Sequence, residues 1–184
     1  NFVKDLINTL SNKYFDFKLC AYPNTNFIKN TFGDYDNFLQ CDGDLGFKMQ
    51  KAFETQFENE YEKIILIGSD TPHISIETIN ECFSELNAND IVLGPSQDGG
   101  YYLIAFNKKT FYKDVFENIT WSSEHVLFQT LQKLQDKKVN LLEELNDIDI
   151  LSDLTDFYLK YRESDFKTSK TIEFLNKNLK VSEC

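Results

Sequence analysis

The sequence predicts an α/β fold with a mostly parallel central sheet, and three observations lead there. Apolar runs of strand length alternate with amphipathic segments of helical period along the chain. The run Ile64-Ile65-Leu66-Ile67 is apolar at every position, the mark of a strand covered on both faces. Turn residues rather than long linkers separate the segments, and no internal repeat or low-complexity tract interrupts them. Residues 1–184 therefore read as one domain, with a polar tail over 164–184 that has room for one more helix.

Taken in order, residues 2–14 read as a helix with Phe2, Leu6, Leu10 and Tyr14 on one face. Residues 17–22 alternate like a strand and stop at Pro23. A short helix fits 25–31, and a weak strand fits 37–41. The turn Asp42-Gly43-Asp44 opens a helix running to about Phe57. Residues 62–68 are the clearest strand. Ser75 is a good N-cap for the next helix, with Glu77 in its first turn and Ile76, Ile79, Phe83 and Leu86 facing inward. Strands follow at 90–94 and 101–106, joined by the turn Pro95–Gly100. Ser122 or Ser123 caps a helix that turns Val126, Leu127, Thr130, Leu131 and Leu134 inward. A short strand fits 138–142, and a last amphipathic helix carries Leu151, Leu154, Phe157, Tyr158 and Tyr161.

Composition narrows the function. A hydrophobic share of 41% and a charged share of 27% are ordinary for a globular protein. The formal net charge is −11 and Arg162 is the only arginine, which argues against a nucleic-acid polymer as partner. A small anionic substrate stays open if a metal ion or helix N-termini assist. No apolar run reaches the roughly 20 residues of a membrane span, and no signal peptide is visible. Cys20, Cys41, Cys82 and Cys184 show no metal-ligand spacing, and they read as reduced thiols of a cytoplasmic protein, the first three as buried structural residues.

Four stretches carry candidate chemistry. Ligands of open α/β sheets bind beyond the carboxyl ends of the strands, where Gly68-Ser69-Asp70 lies. Asp70 either caps a turn through backbone amides or binds a divalent cation that holds phosphate oxygens. Asn146-Asp147-Ile148-Asp149 precedes a helix, so Asp149 is an N-cap, a second metal ligand, or both. In Gly94–Ile104 (GPSQDGGYYLI) the paired glycines permit a close ligand approach, with Asp98 beside them, although a tight turn between two strands explains them as well. Gly43-Asp44-Leu45-Gly46-Phe47-Lys48 opens a helix whose N-terminus and lysine suit an anion, with Asp44 serving equally as a plain cap. His73 reads as an ordinary loop histidine and His125 as an exposed one. Trp121 either stacks on a base or sugar or anchors its loop.

In this order, GDLG-x-K-M, GSD-x-P, GP-x-x-DGGYYL, Trp121-Ser122 and D-I-D, the stretches resemble a family of bacterial glycosyltransferase-like proteins, the radical-SAM/selenodomain-associated transferases. That family has the three-layer, Rossmann-like GT-A fold of nucleotide-diphospho-sugar transferases. It is similar to the guanylyltransferases for phospholactate and molybdenum cofactor. The resemblance runs from about Phe38 to Leu154, and GPSQDGGYYLI is its most specific part. It implies a transferase that takes a nucleotide or nucleotide-sugar donor and a small-molecule acceptor. Glycosyl transfer is the leading expectation; nucleotidyl transfer with release of pyrophosphate, or a non-catalytic binding module, are the alternatives.

By the same resemblance, Asp70 and Asp149 would hold Mg²⁺ or Mn²⁺. Asp98 would serve the acceptor side as the catalytic candidate. Ser69, Gln97, Gly99, Gly100, Trp121 and Lys48 would contact substrates. Lys48 stands where the family more often has arginine, which keeps a cation without the bidentate fork. Ile150-Leu151 follow D-I-D where the family continues with Thr-Pro. The family's opening strand and basic phosphate loop have no counterpart here, so the expectation is that residue 1 is not the natural start. That strand would belong in the middle of the sheet. An open apolar sheet edge would invite a homodimer.

Overall fold

The computed structural model describes residues 1–11 and 14–179. Cys184 and the end of the polar tail lie outside the described residues, as do two positions of the first expected helix. The elements run α1 (Phe2–Leu10), β1 (Leu19–Ala21), α2 (Thr25–Phe32), β2 (Asn37–Leu39), α3 (Leu45–Glu58), β3 (Lys63–Ile67), α4 (Ile76–Glu85), β4 (Ile91–Pro95), β5 (Tyr101–Asn107), α5 (Val126–Lys133), β6 (Val139–Leu141), α6 (Leu151–Tyr161) and α7 (Lys170–Asn178), with 3-10 turns at Lys108–Thr110, Lys113–Phe116 and Asp165–Thr168.

β1 and β2 pair in parallel as a two-stranded sheet, and the other strands form a sheet of order β3-β5-β4-β6. β3, β4 and β6 share one direction, while β5 runs against both of its neighbours. The mixed α/β class expected from the sequence holds. The expected mostly parallel pairing is met only in part: three of the four strands share one direction, but β5, sent straight back by the DGG turn, pairs antiparallel with both β3 and β4, so within this sheet only β4 and β6 pair in parallel.

Side-chain alternation divides the core into two layers. Val92, Leu103 and Ala105, with Ile65 and Ile67, face α1 and α4. Ile91, Leu93, Ile104 and Phe106, with Ile64 and Leu66, face α3 and α5. Successive strand residues point to opposite faces, so fully apolar strands are what a sheet between two helical layers requires. Phe53 of α3 is fully buried at the centre of the second layer, edge-on to Phe106 at 5.1 Å between ring centroids.

β3 departs from expectation in its burial. It reads as the most buried strand, yet all five of its residues are only half-buried. Both of its faces are covered, but it stands at the end of its sheet and only one of its edges is paired, to β5, among the described residues. Composition reports face burial and carries no record of edge position.

The segment read as a polar tail contributes to a third cluster, in which Ile172 and Leu175 of α7 pack with Phe157 of α6. Asp5 of α1, almost fully buried, holds this unit in place. Its carboxylate accepts hydrogen bonds from the backbone N–H groups of Lys170 and Thr171 and from the Thr171 hydroxyl. Among the cysteines, Cys82 is buried as expected, whereas Cys20 and Cys41 are half-buried. Among the described residues, no helix is long and apolar enough to cross a membrane.

Candidate functional site

Because β3, β4 and β6 are co-directional, their carboxyl ends share one edge of the sheet, where three loops meet. The loop after β3 carries Ser69 and Asp70, the β4–β5 turn carries Gln97–Gly100, and the chain beyond β6 carries Asp147 and Asp149. Backbone bonds tie them together. Ile148 N–H donates to Asp70 O at 3.1 Å, and Gln97 N–H donates to Leu145 O at 3.3 Å.

The glycines of the motifs each admit a particular neighbour. A Cβ on Gly68 would lie 2.5 Å from Asp70 Oδ1, so glycine lets the carboxylate fold back over the strand tip. A Cβ on Gly94 would strike the Tyr102 ring at 2.4 Å. That ring crosses β4, and the Tyr102 hydroxyl donates to Glu143 O at 3.0 Å, latching the start of the acidic loop. Gly99 has φ +89°, and a Cβ there would stand 2.2 Å from Glu124 O. Leu127 N–H in turn donates to Gly99 O at 2.8 Å, docking the 121–127 segment on the DGG turn.

Trp121 resolves toward anchoring. Its indole lies against Gly46, where a Cβ would come within 2.8 Å of Nε1, and so joins the tryptophan loop to the first turn of α3. The GDLG, DGG and Trp-Ser motifs thus meet through close backbone approaches.

Two expected helix caps are corrected. Neither Ser122 nor Ser123 caps α5, which begins at Val126. Ser123 Oγ instead donates to Thr120 O at 2.6 Å and closes the preceding turn. Asp149 does not cap α6. Ile150 takes the N-cap position, and Asp153 Oδ2 accepts from Asp149 N–H and Ile150 N–H, both at 3.1 Å. The Asp149 carboxylate is left free of that duty. Asp44 and Ser75 do cap, accepting from Phe47 N–H at 2.8 Å and Thr78 N–H at 3.0 Å.

Asp70 interacts electrostatically with Asp98, Asp147 and Asp149 at this edge. Burial, then the charges of Asp149 and Asp98, push the Asp70 carboxyl above its ordinary range, while its own backbone N–H works the other way. Asp147 rises to about 6, first through burial and then through Asp98, with Asp70 adding a smaller part. Asp98 is fixed in orientation: its Oδ1 accepts from Ser96 Oγ at 2.5 Å and from Gly100 N–H at 2.8 Å. Among the described residues, no group of three or more His, Cys, Asp or Glu side chains converges enough to hold a metal ion by itself.

Asp147 is the residue that sequence reasoning passed over. The signal was present in D-I-D, where two-residue alternation turns Ile148 one way and both aspartates the other. Ile148 packs into the α6–α7 cluster.

Other candidates fall elsewhere or in other roles. Ser69 and Gln97 are exposed at the rim of the edge. Lys48 holds its ammonium over the Tyr22 ring at 5.6 Å and, with Lys51 and Cys20, lines a separate cavity of about 120 Å³. Among the described residues, no hydrogen bond or ion pair joins Lys48 to the carboxylates. His73 is no ordinary loop histidine. It packs on Phe157 and Tyr161, with ring centroids 5.5 and 4.9 Å away, and burial followed by the Lys160 charge lowers it to about 4. His125 is exposed, as expected.

A family profile described as "Uncharacterized protein conserved in bacteria (DUF2064)" matches residues 10–123, more than half of the chain. The chain belongs to the DUF2064 family. This DUF2064 chain is similar to a provisionally assigned nucleotide-diphospho-sugar transferase from Desulfovibrio desulfuricans G20, with 32% identity and a TM-score of 0.91 over 96% of this chain and 80% of that one. It shares its fold with 4-diphosphocytidyl-2C-methyl-D-erythritol synthase from Anaerococcus prevotii DSM 20548, at 16% identity and a TM-score of 0.62, over 86% of this chain and 89% of that one. A looser match, at 11% identity and a TM-score of 0.50, covers 96% of this chain and 84% of molybdopterin-guanine dinucleotide biosynthesis protein A from Archaeoglobus fulgidus. No curated protein matches the chain. The fold is therefore the Rossmann-type fold of nucleotide-diphospho-sugar transferases.

Proposed function

We propose that the chain is a metal-dependent transferase that binds a nucleotide-activated donor at the carboxyl edge of its sheet and passes a glycosyl unit to a small acceptor. The observation that carries this reading is the set of mutually repelling carboxylates around Asp70, held together by backbone bonds. Such a set is costly in the absence of a cation.

Asp70 and Asp149 are the ligands we assign to Mg²⁺ or Mn²⁺. Two carboxylates suit an ion whose remaining sites go to water and substrate phosphates. The cation would neutralise the diphosphate as it leaves. Asp98 serves the acceptor. Its Oδ1 is spent on Ser96 and Gly100, so Oδ2 is turned to the acceptor hydroxyl and would take its proton. Ser69, Gln97, Gly99 and Gly100 line the approach, and Trp121 supports it from the α3 side; Lys48, in its separate cavity, has no part in this site. The narrower kinship with radical-SAM/selenodomain-associated transferases belongs to the same proposal and rests on motif order.

Nucleotidyl transfer would use the same carboxylates, so the product distinguishes the two. Nucleoside diphosphate release marks glycosyl transfer, and pyrophosphate release marks nucleotidyl transfer. Binding without turnover across a broad acceptor panel would leave a binding module. The first test is a thermal-shift series with nucleoside diphosphates, triphosphates and nucleotide sugars, with and without Mn²⁺, on the parent protein and Asp70→Asn. The expected result is a metal-dependent rise with one base that Asp70→Asn abolishes. Absence of any nucleotide response in the parent overturns the proposal.

A further inference from the structure

At the opposite edge of the four-stranded sheet, the amino ends of β3, β4 and β6 and the far end of β5 surround a cavity of about 450 Å³. Lys63, Lys108, Lys109 and Lys138 line it, against two carboxylates, Glu62 and Asp90. The lining thus carries a formal excess of two positive charges, in a chain whose formal net charge is −11. Among the described residues, none of the four lysines makes an ion pair within 4.0 Å.

The wall meets its own hydrogen-bonding needs. Lys63 Nζ donates to Asn87 Oδ1 at 2.6 Å and to Phe83 O at 3.2 Å. Asp90 Oδ2 accepts from Lys138 N–H at 3.0 Å. Asn107 Nδ2 donates to Leu86 O at 2.8 Å and to Asn89 O at 3.1 Å, and Thr110 Oγ1 donates to Asp90 O at 2.8 Å. Among the described residues, the ammonium groups of Lys108, Lys109 and Lys138 make no hydrogen bond or ion pair within the fold.

Scattered surface lysines are ordinarily just solvated. These come from separate stretches of an acidic chain and converge on one concavity, whose size lies in the range that small ligands occupy, roughly 300–1,000 Å³. Lys113 and Lys137, by contrast, lie outside the lining, and Lys137 covers the Tyr112 ring.

We propose that this cavity binds a phosphorylated small molecule through its phosphomonoester group. Such a group carries about −1.5 to −2 charges near pH 7, which matches the excess on the wall. The site is separate from the nucleotide site: Tyr101 and Asn107 mark the two edges of the sheet and stand about 20 Å apart along β5. Its occupancy does not depend on the function proposed above.

The test is thermal shift with glucose 6-phosphate, inorganic phosphate and unphosphorylated glucose at constant ionic strength. The proteins are the parent, Asp70→Asn, Lys109→Ala and the double variant Lys108→Glu/Lys138→Glu. The expected result is a saturable rise of several degrees with glucose 6-phosphate in the parent and in Asp70→Asn, absent with glucose. The double variant should lose it, and Lys109→Ala should weaken binding at least several-fold. A response to inorganic phosphate alone would identify a free-anion site and overturn the small-molecule assignment. The proposal also falls if the parent shows no saturable response, if Asp70→Asn abolishes it, or if the lysine variants keep it. Should circular dichroism show the double variant unfolded, Lys109→Ala decides: unchanged affinity overturns the site.

Discussion

The two edges of the four-stranded sheet hold charge by different means. At the carboxyl edge, Asp70, Asp98 and Asp147 sit in loops whose backbones are bonded to one another, and burial and mutual repulsion push Asp70 and Asp147 upward. At the amino edge, Lys108, Lys109 and Lys138 are exposed, free to move apart and screened by water. One edge gathers like charges against their repulsion by geometry, and the other gathers them with little strain. The first arrangement depends on particular glycines and backbone contacts, whereas the second depends only on where the strands begin and end.

Gly99→Ala is the sharpest way to break that contrast. The backbone there lies at φ +89°, and the new methyl would meet Glu124 O at 2.2 Å, a backbone atom that cannot swing aside. Strain of this kind costs about 1–3 kcal/mol before the clash is counted. The 121–127 segment should undock from the DGG turn, with a lower urea midpoint and complete loss of the metal-dependent nucleotide shift. The glucose 6-phosphate response at the other edge should persist. Loss of both responses together would show that the edges are not independent.

What the sequence revealed follows the same division. The DGG turn, the Asp44 and Ser75 caps and the apolar strands were legible because each is written in a few adjacent residues. The edge position of β3 was not legible, since pairing joins it to residues forty positions away. The lysine cavity was hidden for that reason too: Lys63, Lys108 and Lys138 meet only once the sheet has formed. Tyr102 is intermediate. Its place in the motif was plain, but its bond to Glu143 needs the register of β4 against β5 and of β6 beside it. Asp147 was readable from alternation within the same D-I-D motif, in which the family resemblance gave a role to Asp149 alone.

His73 gives a smaller effect with a pH signature. It ties the loop after Asp70 to α6, which begins beside Asp149. Burial holds its folded pKa near 4, below the ordinary histidine value of about 6.5. Between those values the unfolded chain binds more protons, so His73 lowers stability as pH falls from about 6.5 toward 4 and has no such effect above that window. Allowing for its partial exposure, the loss is about 1–2 kcal/mol by pH 4. Urea titrations should show the parent losing this increment on acidification and His73→Leu losing less. Equal slopes in the two proteins would place the histidine in water and detach α6 from the Asp70 loop.

Asp147→Asn should produce the smallest shift, and its sign is informative. A carboxyl raised in the folded state binds protons there that the unfolded chain has already released. It therefore costs stability that grows as pH rises from about 4 to about 6 and stays constant above. Replacing it with the neutral amide should raise stability at pH 7 by about 1 kcal/mol, discounted because the side chain is only half-buried, with no gain at pH 4. The same change should weaken Mn²⁺ binding, because it removes negative charge from beside Asp70. A variant that is more stable and binds metal less well means the repulsion is maintained for a cation. A variant that gains stability and keeps its Mn²⁺ response would mean that Asp147 opposes folding without serving the site, and the cation would then rest on Asp70 and Asp149 alone.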